Sequence, residues 1–231
     1  MIRLLVLRDK AVFFLAKIFL NNFRSLYYLP NHQVKIVFKI KTSEIKNFVK
    51  KKDIENLPKN KFIWKGNWDK NTISINKYQN YNINFRSMFE IFKKKMNFKT
   101  CNEYQSKKKM IEIEGSDSRG NKSIKELDNY FNSLKKVKKN MKLNGYVSQN
   151  NLSKNFGDEI GVFINRKGEI LKPEDKFGGT HRFAISKILK VKYIYVRVRA
   201  IHMNHFKKIF YSKKKLSKTD AIIIQKIQNF I

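Results

Sequence analysis

Toward the C-terminal end of the chain, Gly178 and Gly179 are followed by Thr180, His181 and Arg182 and then by the apolar series Phe183, Ala184, Ile185, Ile188 and Leu189. A helix start exposes backbone N–H groups that have no intrahelical acceptor, together with a partial positive charge, and anions settle there. In such a turn the two glycines let a phosphate approach the backbone, Thr180 caps the helix or donates its hydroxyl, His181 adds a donor and Arg182 grips phosphate oxygens. A Gly-Gly turn also serves simply to cap a helix with the arginine in a structural ion pair, and the residues alone leave both roles open. Asp69, Asp158, Glu159 and His181 are the groups available as base or magnesium ligand for phosphoryl transfer. For Glu159 the plainer role is a pair with a nearby lysine. Trp68-Asp69 places a carboxylate beside a ring able to stack on a base or sugar, or is a buried tryptophan with a turn-capping aspartate. His202 and His205 suit a metal only on a helix, yet they follow a strand-like run and lack a third ligand, so no metal site is expected.

The elements that must position these groups are legible in part. Val34–Ile40 and Lys61–Trp64 are strand-length apolar runs, and the lysine-rich Ser43–Lys52 stretch between them is helix-like. Phe85, Met88, Phe89, Ile91 and Phe92 recur at helical intervals and predict a helix over Phe85–Lys95. Ser123-Ile124-Lys125-Glu126 matches a capping box, and the series from Ile124 to Met141, closed by Gly145, predicts a helix over Ile124–Asn144. Five of the nine glycines then fall between Gly157 and Gly179, where backbone geometry dominates. Ile160–Ile164 reads as a strand, Asn165–Gly168 as a hairpin turn and Glu169–Leu171 as the return strand. After the glycine pair and its helix, Ile194, Val196, Val198 and Ala200 alternate with Tyr193, Tyr195, Arg197 and Arg199 as a half-buried strand. Ala221–Ile231, with Thr219 or Asp220 as its cap, predicts a tail helix that must dock on the main body or on a second subunit.

The run Glu159 to Ile164, then Arg166-Lys167-Gly168-Glu169-Ile170, then Gly179-Thr180-His181-Arg182-Phe183-Ala184-Ile185, then Val196-Arg197-Val198, resembles the core of ParB/sulfiredoxin-like domains over about a quarter of the chain. The resemblance implies that the glycine turn holds the phosphates of ATP or CTP, with magnesium as an accompanying ion. Three departures narrow what it implies. Sulfiredoxins carry their catalytic cysteine where Thr180 stands, and Cys101 lies far outside the module. Chromosome-partitioning members place a helix-turn-helix domain after this module, whereas 26 residues follow His205. Members that phosphorylate small molecules have an aspartate where Gly178 stands. Gly66-Asn67-Trp68-Asp69, Arg119 and Asn144-Gly145-Tyr146 resemble a looser pattern in prokaryotic proteins with the same C-terminal core.

The expected fold is α+β: a small mixed sheet with packed helices, divided into an amphipathic segment (1–30), an α/β extension (31–122), a nucleotide-binding core (123–205) and a helical tail (206–231). The cofactor contacts are expected from Gly178, Gly179, Thr180, His181 and Arg182, and the catalytic groups from Glu159, Asp69 and His181. The implied function is nucleotide binding coupled to small-molecule phosphotransfer or nucleotide hydrolysis. The alternative is a non-enzymatic module in which nucleotide gates binding to a protein, a nucleic acid or a membrane surface.

Charge and composition set bounds on partners. The formal net charge is +33, but it comes from 42 lysines against nine arginines alongside 25 asparagines and 27 isoleucines, the usage an AT-rich coding sequence imposes whatever the function. Arginine is the residue favoured where phosphates are read with geometric precision. Residues 145–205 carry a net +6 and the other 170 residues +27, so the excess is not focused on the module. A single cysteine rules out an internal disulfide and a cysteine-based zinc cluster and fits a reducing, cytoplasmic setting. Arg3, Arg8, Asp9, Lys10 and Lys17 interrupt the apolar N-terminal run, so neither an export signal nor a membrane span is expected there. Arg3, Lys10, Lys17 and Arg24 fall seven apart on one helical face, which suits peripheral contact with an anionic membrane, packing on the protein body or a dimer contact. Because the basic excess is compositional, DNA affinity should be weak, should fall steeply with added salt and should ignore sequence. Electrophoretic mobility shifts across a salt series check this, and a sequence-preferring complex that survives physiological salt would refute it.

Overall fold

Alternating apolar residues build the sheet. The structure is a computed structural model that describes residues 35–58, 61–153, 159–174, 178–212 and 215–228; the basic N-terminal segment and Asp158 lie outside them. Phe38 and Ile40 are buried while Lys39 and Lys41 meet water, and this run forms β1 (Val37–Lys41). β2 is Asn47–Val49, α1 Lys51–Ile54, β3 Ile63–Trp64, β4 Thr72–Ser74, α2 Ile75–Tyr81, α6 Gln149–Ser153, β5 Ile160–Ile164, β6 Ile170–Pro173 and β7 Tyr193–His202. The ten-residue β7 is the spine. β1 runs antiparallel along one edge of its first half, and β3 takes the same edge further on in parallel. β5 lies parallel on the other edge, followed by β6 antiparallel, β2 parallel and β4 antiparallel. The fold is α+β with one mixed sheet, and its strands come alternately from residues 37–74 and 160–202. The boundary expected near residue 122 therefore does not separate two cores.

Both faces of the sheet are covered. On one, Ile160, Val162, Ile194, Val196 and Val198 join a large cluster with Phe183, Ala184 and Ile185 of α7 (Thr180–Ile188), the latter three fully buried. Full burial of a side chain the size of Phe183 contributes about 1.5–3 kcal/mol. α3 (Ile83–Phe92) packs on α7, with Phe85 and Phe183 meeting at 6.1 Å between ring centroids. Two helices, α4 (Asn102–Glu114) and α5 (Ile124–Asn144), complete that layer. On the other face Trp64, Trp68, Phe163, Leu171 and Ala200 form a second cluster. A bulge sends Ala200 there: Val162 pairs with Val198 and Phe163 with Ala200, leaving Arg199 unmatched in the β5 register. The simple alternation expected through Ala200 therefore breaks after Val198.

The predicted α5 and the Asn165–Gly168 hairpin turn, with Gly168 at φ +87°, appear as read. Ser43–Lys52 does not form a helix; it folds as a 3₁₀ turn (Thr42–Glu44), β2 and the start of α1. Strand pairing on both edges of β2 and the stack of Phe48 on Tyr78, 3.6 Å between centroids, override the helical leaning of a lysine-rich stretch. α8 (Met203–Phe210) follows β7 directly, and α9 (Lys218–Gln228) docks on the main core through Ile223 and Ile227. The Asp220 amide bonds the Ser217 hydroxyl, so the cap of α9 is Ser217 rather than Thr219 or Asp220, and the Asp220 carboxylate meets His205 Nε2 at 2.8 Å. Among the described residues no helix is long and apolar enough to cross a membrane.

α7 is seated on β5 by Gly179. Its φ is +80°, and a Cβ there would lie 2.7 Å from Ile160 Cα; at Gly178, also at +80°, a Cβ would meet only the Glu159 carbonyl at 3.9 Å. Gly178→Ala therefore adds backbone strain of about 1–3 kcal/mol alone, whereas Gly179→Ala adds a clash to the same strain. Denaturant unfolding should rank Gly179→Ala as clearly the more destabilising, and equal losses would contradict this account of the α7 seat.

Candidate functional site

Three elements converge at the start of α7. The helix has Gly179 as its N-cap in the left-handed region and no side-chain cap, so its first-turn amides are left to whatever lies in front of them. Facing them are the loop after α4, with Ser118 and Arg119, and the side of α5 carrying Tyr130, Ser133, Leu134 and Val137. Between these walls lies a cleft of about 990 Å³, lined also by Lys107, Gln149, Gly178, Gly179, Thr180, His181 and Arg182. Its described lining contains the cations Lys107, Arg119 and Arg182 and no carboxylate.

Buried carboxylates behind the lining hold Lys107 directly and Arg119 by way of His181. Glu103, 1% exposed, meets His181 Nε2 at 2.9 and 3.0 Å, while His181 Nδ1 lies 3.2 Å from Arg119 Nη2 and 3.3 Å from the Tyr130 hydroxyl. A guanidinium only donates, so Nδ1 accepts and the imidazole proton sits on Nε2, facing Glu103. The Arg119 guanidinium also lies over the Tyr130 ring, 4.6 Å from its centroid. Burial pushes the Tyr130 phenol up from its ordinary range, Arg119 opposing, so it stays a hydroxyl. Asp117 organises the loop: its carboxylate accepts the Arg119 and Asn121 amides at 2.8 and 3.0 Å, the Asn121 side chain at 3.0 Å and Lys107 Nζ at 3.3 Å. Burial alone would raise the Asp117 carboxyl; the bonds from Asn121 and Arg119 and the Lys107 charge outweigh it and hold the group below its usual value.

Glu159, fully buried immediately before β5, accepts the Ser148 hydroxyl at 2.5 Å, the Gln149 amide at 2.6 Å and the Tyr146 hydroxyl at 3.2 Å. Those bonds tie the Tyr146–Gln149 turn to the sheet beside the cleft. Glu159 thus pairs with no lysine in the described set, and its lone pairs are occupied by structural donors rather than held ready for a substrate proton. His181 is likewise engaged at both nitrogens.

Asp69 does not join the site. Arg166 grips it through its amide at 2.9 Å, Nε at 2.9 and 3.0 Å and Nη2 at 2.6 Å, and Nη2 reaches Gly66 O at 2.9 Å. Arg166 follows β5 and Glu159 precedes it, and five strand residues at about 3.3 Å each separate the two ends by roughly 15 Å. Trp68, 3% exposed and edge-on to Phe163, is closed to a stacking ligand; the pair is the buried tryptophan with its turn-fixing aspartate. His202 caps α8 by accepting the Asn204 amide and bonds Gly66 O, and His205 bonds Asp220, so the two histidines serve separate structural roles.

Of the residues singled out in the sequence, the structure brings together Gly178, Gly179, Thr180, His181 and Arg182, with Glu159 directly behind them. Glu103, Lys107, Asp117 and Tyr130 carried no sequence signal of their own; the nearest trace is the Asp117-Ser118-Arg119-Gly120-Asn121 spacing that suits an aspartate-capped turn. The chain matches no protein-family model, no curated protein and no solved structure.

The Asp69 carboxyl, which burial alone would raise, is held below its ordinary value by the Arg166 bonds and the His202 and Arg166 charges. A depressed aspartate stabilises the fold above its unfolded value and ceases to do so as pH falls through the lower folded value. Stability contributed by Asp69 and Asp117 should therefore be complete near neutrality and be lost only in strongly acidic solution. Asp69→Ala should cost about 3 kcal/mol at neutral pH by stranding Arg166, should flatten the acid limb of the stability profile, and should leave anion binding at the cleft unchanged. Urea unfolding between pH 2 and 7 with parallel ligand titration checks all three.

Proposed function

We propose that this chain is a nucleotide-binding protein that takes the phosphates of ATP or CTP at the start of α7, as the resemblance to ParB/sulfiredoxin-like domains implies. One observation carries the reading: an uncapped helix N-terminus, opened by two left-handed glycines, faces a cleft whose described lining holds three cations and no carboxylate. Tyr130, Leu134 and Val137 on the facing helix offer apolar surface for a base or sugar. The engagement of Glu159 and His181 in structural bonds supports binding, with nucleotide gating a second partner, over turnover. Phosphotransfer or hydrolysis would need another base or magnesium ligand, for which Asp158 is the sequence candidate. A cytoplasmic setting, where ATP and CTP are plentiful, is part of this proposal, as is any peripheral membrane contact through the segment 1–30.

Arg182→Ala should weaken ATP or CTP binding while leaving the melting temperature nearly unchanged. Loss of a charge-assisted hydrogen bond costs about 1.5–3 kcal/mol, or roughly ten- to a hundredfold in affinity. Calorimetric titration and thermal melting of the same variant decide the matter: unchanged affinity with a large drop in melting temperature would make the Gly-Gly-Thr-His-Arg turn structural. Assay of released phosphate with the wild-type protein separates turnover from binding.

A further inference from the structure

The wall opposite α7 belongs to neither the glycine turn nor the strands around it, yet it contributes two of the three cations among the described lining residues. Lys107 comes from α4 and Arg119 from the loop that follows. Both are tied to neighbouring groups, Lys107 in a buried pair and Arg119 on an exposed loop. Lys107 is only 6% exposed, with Nζ 3.3 Å from Asp117 and 3.1 Å from the Ser118 hydroxyl. Arg119 is fixed at three points: its amide on Asp117, one Nη on His181 and its plane on the Tyr130 ring. His181 is itself locked by Glu103 at the second position of α7, so the guanidinium lies about one side-chain length from the first-turn amides.

We propose that Arg119, backed by Lys107 and Ser118, is a second phosphate-gripping residue of the cleft, so that the site selects a ligand with two or more linked phosphates over one with a single phosphate. The inference rests on the anion-binding reading of the cleft and extends it from where a phosphate sits to how many are counted. One phosphate is served by the α7 amides and Arg182. Among the described residues Lys107 is paired with Asp117 behind the lining, whereas the Arg119 guanidinium reaches the Glu103 carboxylate only through the His181 ring. Among the described residues the Arg119 guanidinium spends one donor on His181, which leaves the rest of its fork for phosphate oxygens. Glu103 and His181 act here as positioning residues: they hold Arg119 and touch no ligand. A nucleoside triphosphate and inorganic tripolyphosphate share the chemistry, and the experiment separates them.

Calorimetric titration of the full chain with ATP, ADP and AMP, the CTP, CDP and CMP series, tripolyphosphate and orthophosphate, compared with Arg119→Ala and Arg119→Lys, tests the inference. The wild type should bind triphosphate more tightly than diphosphate and monophosphate least. Arg119→Ala should weaken triphosphate about ten- to a hundredfold and monophosphate by less than about threefold, flattening the series. Arg119→Lys should fall between, since it keeps the charge and loses the fork. A merely structural arginine would lower every ligand alike, so a uniform loss, or no loss, overturns the inference while leaving nucleotide binding standing. Tripolyphosphate binding that depends on Arg119 without nucleotide binding would overturn the nucleotide reading and uphold this one. Failure of all the phosphates to bind overturns both.

Discussion

A contact defined by a missing side chain fixes the geometry around the cleft: with no Cβ on Gly179, α7 begins directly against Ile160, and any larger residue would sit 2.7 Å from the Ile160 Cα. The helix therefore starts level with the first residue of β5, and its axis is committed before its side chains pack. Phe183, Ala184 and Ile185 then fall on the sheet, and His181, on another side of the first turn, falls under α4 and α5. The uncapped amides are turned outward by the same choice. Position, packing and exposure of α7 follow from one close approach.

The second constraint is ionic. Burying Glu103 and Lys107 removes charges from water, and such pairs are seldom net stabilisers compared with apolar residues of similar shape. What they supply is a single arrangement. Glu103 fixes the His181 tautomer, His181 orients Arg119, and Asp117 ties the loop backbone to Lys107. A leucine core at these positions would hold α4 against α5 and α7 as well, but it would leave the two cations free to swing with solvent. The helical layer is thus built as a support for charges as much as a cover for the sheet.

Where the sequence was legible, local chemistry and tertiary role agreed. α5 carries its capping serine and a regular apolar stripe, and it occupies the expected residues; the glycine hairpin and the glycine turn behaved in the same way. Legibility failed where tertiary contacts overruled local pattern. α4 buries Glu103, Tyr104 and Lys107, so the periodicity of its apolar residues is faint and the charged positions that matter read as solvent-facing. β2 is hidden in a lysine-rich stretch because its pairing partners come from far along the chain. Ala200 continues the period of β7 in sequence and lies on the opposite face in space, an inversion that one bulged residue produces. Asp69 looked catalytic beside a tryptophan because nothing in its neighbourhood announced Arg166, 97 residues away.

The cations of this protein fall into two physical kinds. Most are lysines on the surface whose fields are screened within about 10 Å at 0.1 M salt, and they draw any polyanion toward the protein without distinguishing one from another. Lys107 and Arg119 are held on buried partners, so their ordering entropy is spent in folding rather than on ligand contact. Selectivity, if a chain of +33 is to have any, must come from the second kind, because a fixed donor rewards a ligand only at the distance where its oxygen fits. The net charge therefore says little about what is recognised. The cations that the fold has immobilised say more, and two of them, Lys107 and Arg119, share one cleft with the open end of α7.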